Sequence, residues 1–502
     1  MSSGNIYERF ARVFEANAER TAIRSADGAT RLSFGDLARG AARYANALAA
    51  LGVEPGDRVT VQVEKSIANV LLYLGVMKLG AVYQPLNTAY TAAEVAYFVE
   101  DAEPKAIVCD PARQAEMRAL ADRHKVFAVV NLDGAGEGSL AAMAATMDER
   151  HETAERQADD LAGLLYTSGT TGRSKGAMIS HGNLASNAET LVDLWRITRH
   201  DTLLHALPIF HVHGLYVALN TAFLAASEMI WFGKFDARAM IAAMPGATMM
   251  MGVPTFYTRL LSEPGFTREA ARGMRLFISG SAPLLAETHT EFSARTGHAI
   301  LERYGMTETG MITSNPYDGA RMAGTVGFPL PGVSVRIRGG QPGVLEVKGP
   351  NVFKGYWRMP DKTREEFTED GYFITGDVGA IDGEGRVTIV GRAKDLIISG
   401  GFNVYPKEIE EALDALPGVG ESAVIGVPHP DFGEGVVAVV TAKGPLAPEA
   451  EIIAALAKGL AKFKVPKRVF EVPELPRNTM GKVQKAELRA RYATLFSGAP
   501  GA

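Results

Sequence analysis

The sequence has almost no cysteine. Cys109 stands alone in 502 residues, which excludes an intrachain disulfide and a cysteine-built zinc site. It also lacks an excess of charge of either sign. Lys+Arg number 52 and Asp+Glu 57, for a formal net charge of −5. A mildly acidic chain with no basic block is not a dedicated nucleic-acid binder. No apolar run reaches the ~18 residues of a membrane span. The longest, such as 70–77, break within about two helical turns and read as buried core. The opening segment MSSGNIYERFARVFEANAER has no signal-peptide core, and Glu8 and Glu15 argue against a transit peptide. The expectation is a soluble cytoplasmic protein, monomer or homodimer, with no membrane or nucleic-acid partner.

What is present is an ordinary globular composition, 47% hydrophobic and 22% charged, with length for about two to four domains. Strand-like runs at 58–64, 106–110, 126–132, 228–232, 247–253 and 275–279 alternate with amphipathic stretches such as 67–79 and 286–296. That alternation predicts α/β layers with largely parallel sheets. From Val333 the texture changes to short strands with Gly-rich turns (333–338, 343–348, 372–375, 386–390), a β-rich subdomain. Beyond Arg392 come helices at 406–416, 449–461 and 485–492 and strands at 422–427, 436–441 and 467–472. They predict a separate, small α+β domain of roughly 110 residues. The reading is therefore an N-terminal domain over 1–392 and a C-terminal one over 393–502. The link between them is a short hinge and the tail near 498–502 is disordered.

The densest chemical signal is LLYTSGTTGRSKGAM, 164–178. A buried strand opens into a loop of hydroxyls and glycines that ends in Lys175. Glycines let successive backbone N–H groups turn toward one anion, hydroxyls add donors, and lysine adds charge. This is a phosphate cradle, although the GxxxxGK[ST] spacing of the P-loop is absent. Thr167, Ser168, Gly169, Thr170, Thr171, Gly172 and Lys175 are its candidate residues.

YTSGTTGRSKG resembles the phosphate loop of the acyl-adenylate-forming superfamily, which includes acyl-CoA synthetases, luciferases and peptide-synthetase adenylation domains. LPIFHVHG (207–214), RYGMTE (303–308), YFITGD (372–377), GRAKD (391–395) and PRNTMGKVQK (476–485) follow in that superfamily's order. Within it the chain is similar to malonyl-CoA synthetases. The resemblance implies a large nucleotide- and acyl-binding domain with a mobile C-terminal lid, with Mg²⁺, ATP and coenzyme A as cosubstrates.

Residue chemistry and resemblance then run together. Arg303, Tyr304, Gly305, Met306 and Thr307 fall on the nucleotide. Tyr304 offers a ring to a base, and Glu308 offers a hard oxygen to Mg²⁺; the resemblance adds Thr170 to the metal region. Asp377 can accept both ribose hydroxyls and Arg392 can pair with ribose or phosphate oxygens. Taken alone each is an ordinary hairpin Asp or surface Arg, and the resemblance assigns them to the ribose. Lys482 matches the adenylation lysine. Lys394 is the expected pivot, and Gly400 and Gly401 belong to the thioester-forming step. His211 and His213 would share one face of a strand. They have no third ligand at metal spacing, and the resemblance places His211 beside the reacting carboxylate.

The acyl group is read less directly. Arg259, in a helix opened by Pro254, is a cation where the superfamily builds its acyl pocket. Ser279 and Ser281 lie beside it, and Arg303 is a second basic residue. An always-charged, bidentate side chain suits a second carboxylate. The resulting expectation is malonate, with another short acid (methylmalonate, acetate or a medium-chain acid) as the alternative.

Overall fold

The computed structural model describes residues 4–167, 174–399, 402–478 and 481–496. The expectations for Ser168, Gly169, Thr170, Thr171, Gly172, Gly400, Gly401 and the tail lie outside the described residues.

Two largely parallel sheets form the N-terminal α/β layers. One runs in the order Ala128–Asn131, Ala106–Cys109, Arg58–Gln62, Val82–Pro85, Leu161–Thr167, Lys175–Ser180, antiparallel only at the last pair. The other has nine strands, parallel from Leu301–Met306 across to Thr21–Ser25 and closed by antiparallel strands at both ends. Strands buried by helices on both faces read as continuous apolar runs, and Met249–Gly252 and Leu276–Ser279 are buried at every position. The β-rich subdomain is a four-stranded antiparallel sheet, Ser334–Arg338, Gly343–Lys348, Phe373–Ile381 and Val387–Arg392.

Local sequence fixes several boundaries. Ile67–Leu79 starts where Ser66 accepts from the Asn69 amide and ends at Gly80, φ 72°; glycine adopts that left-handed turn without steric cost. The expected strand at 372–375 extends to Ile381 because it pairs on both sides. The expected helix 449–461 stops at Leu456, just before Gly459.

After Arg392 the chain builds its own core. Ile397, Val404, Ile409, Val424, Val436 and Ile452 fill one face of a five-stranded sheet, and Ile425, Val427, Val437, Val439 and Leu488 fill the other. This unit touches the large domain through polar contacts, Lys443–Glu287 at 2.9 Å and the Lys407 ammonium on the Ile389 carbonyl. The Lys482 loop sits at the start of the helix Pro254–Leu261: a Cβ on Gly481 would lie 3.2 Å from Thr255 Oγ1.

Two buried asparagines hold the turn after Leu301–Met306 from behind. Asn187, on the helix His181–Leu194, donates to the Met311 carbonyl and accepts from its amide, both at 3.0 Å. Asn351 donates to the carbonyls of Thr309 at 2.7 Å and Met311 at 3.0 Å. Side-chain amides here replace the partners a regular strand would supply. Asn187→Ala leaves the Met311 amide buried without its partner, while the carbonyl keeps Asn351, at about 1–3 kcal/mol in stability. A lowered thermal midpoint of the nucleotide-free protein is the expected result; an unchanged midpoint would show that the clamp does not hold the turn.

Candidate active site

The ends of Leu161–Thr167, Leu276–Ser279 and Leu301–Met306 converge with the hairpin Phe373–Ile381/Val387–Arg392 and the Lys482 loop. Ligands of open α/β sheets bind at such carboxyl ends of strands.

Asp377, the carboxylate expected at the ribose, is buried. It pairs with Arg392 Nε at 2.7 Å and accepts from the Tyr304 hydroxyl at 2.5 Å. Burial works against the Arg392 charge, and Asp377 offsets it, leaving the guanidinium above its ordinary value. Burial, then the Asp377 charge, pushes the Tyr304 phenol well up, so it remains a donor. Lys482 is solvent-accessible yet lies amid both domains. Desolvation first, then the Arg392 charge, lowers its ammonium, with Asp377 opposing.

Glu308 is buried and carries no ion pair among the described residues. It accepts from Thr167 Oγ1 at 3.1 Å and the Tyr356 hydroxyl at 3.2 Å, and burial raises its carboxyl. Lys175, read as a phosphate cation, is already paired with Glu366 at 2.7 Å and lies 4.0 Å from the centre of the Tyr356 ring. Tyr356 donates to Glu366 as well. Tyr356 and Glu366 are functional neighbours that the sequence reading missed. Neither has a local motif, and only folding brings them to Glu308.

The acyl side corrects the sequence reading. Arg259 is exposed: Phe256, Tyr257, Leu260 and Leu261 fill the buried face of its helix, which turns position 259 to solvent. Arg303 is the buried cation instead, 3% exposed, with Nε and Nη2 unpartnered. Burial lowers it to about 9. Its guanidinium presses on Gly280, where a Cβ would stand 2.4 Å from Arg303 Cζ. Ser279 pairs in register with Glu302, so its side chain shares the face of Glu302, alternate to that of Arg303. Its hydroxyl is buried and unpartnered. Ser281 lies on the Arg303 side, with Oγ 3.2 Å from His213 Nδ1.

The two histidines are not on a strand. The strand ends at His205, His211 lies in the loop that follows, and His213 opens a π-helical segment, His213–Leu219. Burial, then the Arg303 and Lys482 charges, lowers His211 to about 4. His213 is lowered well below its ordinary value by burial and Arg303. Both imidazoles are neutral near pH 7. Among the described residues no group of three or more His, Cys, Asp or Glu could hold a metal.

The AMP-binding enzyme profile matches residues 10–357, and that of its C-terminal domain matches 408–482. The chain belongs to the AMP-binding enzyme family. A relative from Arabidopsis thaliana, Malonate–CoA ligase, is 34% identical over 97% of this chain and 89% of its own length. The crystal structure of ATP-bound MatB from Rhodopseudomonas palustris is 56% identical, covers 99% of this chain and 100% of its own, and superposes with a TM-score of 0.95. Apo MatB, at the same identity and coverage, gives 0.83. This AMP-binding enzyme thus superposes better on the ATP-bound relative than on the apo one. No helix among the described residues is long and apolar enough to cross a membrane.

Asp377→Asn keeps shape and removes charge at the nucleotide seat. Calorimetry is expected to show ATP affinity about 10- to 150-fold weaker, the worth of one charge-assisted hydrogen bond. Equal affinity would remove Asp377 from the ribose.

Proposed function

We propose that this enzyme ligates malonate to coenzyme A with ATP, giving malonyl-CoA, AMP and pyrophosphate. The observation that carries the malonate reading is Arg303, a buried cation with free donors and no carboxylate partner. A partner that arrives with the substrate accounts for it, and malonate brings a second carboxylate. The Malonate–CoA ligase relative supports the same reading.

In the first step an oxygen of one malonate carboxylate attacks the α-phosphorus, and pyrophosphate leaves with the bonding pair. Lys482 would bridge the attacking carboxylate and the α-phosphate, and its charge would be worth most as charge develops on phosphorus. The Arg303 and Lys482 charges both act on the His211 ring, so both cations bear on the same part of the site. Asp377 and Arg392 take the ribose, and Met306 and Thr307 line the α-phosphate. Thr167 and Glu308 are hard oxygen donors, and Glu308 has no cation of its own, so they fit magnesium. Bound there, magnesium would neutralise charge on the phosphates. In the second step the thiol sulfur of coenzyme A attacks the acyl carbon, AMP leaves, and the thiol proton passes to solvent.

The boundary after Arg392 and the pivot at Lys394 belong to the same proposal. Lys394 is exposed within the short turn Ala393–Asp395. The next residue, Asp395, is held by Arg489, which ties the turn to the C-terminal domain. Lys482 serves the arrangement described here, and rotation about the turn would exchange it for the thioester-forming face.

Lys482→Ala is expected to abolish malonyl-adenylate formation while leaving thioester formation from presynthesised adenylate largely intact. Equal loss of both half-reactions would contradict the division of roles. Arg303→Met keeps length and removes charge. Truncating one partner of a desolvated pair costs about 2–5 kcal/mol, a loss of roughly 30- to several-thousand-fold in kcat/KM for malonate. Butyrate, whose methyl end no longer meets an unpaired guanidinium, is expected to improve relative to malonate. Parallel loss of both acids would make Arg303 a packing residue.

A further inference from the structure

We propose that Glu366 is a positioning residue that acts through Lys175: it competes with the triphosphate for the ammonium and takes it back from pyrophosphate, which weakens product binding. The proposal rests on the ATP-dependent reaction above, with Lys175 as the phosphate cation.

Lys175 Nζ lies 2.7 Å from Glu366 Oε1, and the two side chains are only 13% and 21% exposed. A pair sheltered to that degree is screened less than one on the open surface. Affinity is the difference between what a group gains in the complex and what it gives up to enter it. Each contact that Lys175 makes with phosphate is therefore made against the pull of Glu366.

Glu366 is built to let the lysine go. The same Oε1 is 3.2 Å from Lys362 Nζ, and Oε2 accepts from the Tyr356 hydroxyl at 2.7 Å. When Lys175 moves to a phosphate, the carboxylate keeps a cation and a hydrogen bond. It escapes the cost of a sheltered charge left with no partner. Burial opposes the Glu366 charge, but the bonds from Lys175 and Tyr356 outweigh it and hold the carboxyl below its ordinary value. Glu366 also caps the C-terminus of the short helix Pro360–Glu365, where a helix favours cations over anions. The lysines, not the helix, hold that charge.

The backbone brings these groups onto one frame. The Trp357 amide donates to the Gly176 carbonyl at 2.8 Å, and the Met178 amide to the Gly355 carbonyl at 3.0 Å. Those bonds set the Tyr356 ring against Lys175, 4.0 Å from its Nζ. The Tyr356 amide donates to Thr363 Oγ1 at 2.9 Å, on the helix that carries Lys362 and leads to Glu366. The exchange between carboxylate and phosphate then needs motion of the lysine side chain alone.

The test is calorimetry of magnesium ATP and magnesium pyrophosphate on the full-length wild type, Glu366→Gln, Lys175→Met and the double variant. Glutamine keeps the size and an acceptor for Tyr356 while removing the charge. Both ligands are expected to bind Glu366→Gln about 5- to 30-fold more tightly than wild type. In the Lys175→Met background the same substitution is expected to change nothing. Binding that is unchanged or weaker in Glu366→Gln would overturn the proposal. Tightening that survives without Lys175 would show that Glu366 simply repels phosphate, and would overturn it too. If Glu366→Gln does not fold, Lys362→Met gives the test with the opposite sign. Glu366, with one cation fewer, then grips Lys175 harder, and both ligands are expected to bind about 2- to 5-fold more weakly; unchanged binding would refute the exchange. A wild type that binds neither ligand would overturn the ATP-dependent reading itself.

Discussion

Asp377 joins two parts of the molecule that the chain keeps far apart, its own hairpin and the strand Leu301–Met306. Its carboxylate meets Arg392 from the neighbouring strand and the Tyr304 hydroxyl from the nine-stranded sheet. It is therefore one point where the β-rich subdomain locks onto the α/β layers, beside the backbone bonds of Val387 with Val326 and Gly327. Arg392 is also the last residue before the turn that leads to the C-terminal domain, and its charge is felt by Lys482. One buried ion pair thus stands beside Tyr304, at the start of the turn after Arg392, and in the field felt by Lys482. Removing one member of such a pair leaves the other buried and uncompensated.

Arg303 is the counterpart on the acyl side, and it is left without a partner. A buried guanidinium with orphan donors destabilises the ligand-free protein. The surrounding structure spends little on relieving it. Gly280 gives it room, Tyr257 sends its hydroxyl to the Ile278 carbonyl at 2.6 Å, and the nearby imidazoles are neutral. A site built in this way binds an anion well because the cost of desolvating the cation is met in folding.

Much of the fold was legible because it depends on local rules. The helices 67–79, 286–296 and 485–492 and the strand 343–348 form over the residues that periodicity and punctuation indicate. The separate C-terminal core was visible as a change of texture after Arg392. The acyl side was legible only in part: Arg303, Ser279 and Ser281 were among the candidates, but their burial and partners were not. Arg259 lies in the right segment, but a helix has an outside, and four apolar neighbours take the inside. The H-x-H pattern suggested alternation on a strand, and the chain instead turns into a π-helical segment. Tyr356 reaches Glu308 from 48 residues away and links it to Glu366, a distance no local pattern encodes.

The sequence by itself determined the reaction class, because a phosphate loop, a ribose carboxylate and a loop lysine need specific residue types in a fixed order. It also determined the domain plan, because hydrophobic period and glycine placement act over a few residues. Only the tertiary structure decided which arginine is buried with free donors, which serine stands beside a histidine and which cations are already paired. Those outcomes depend on burial and on partners from distant strands, and the same side chain is a solvated charge in one place and a binding group in the other.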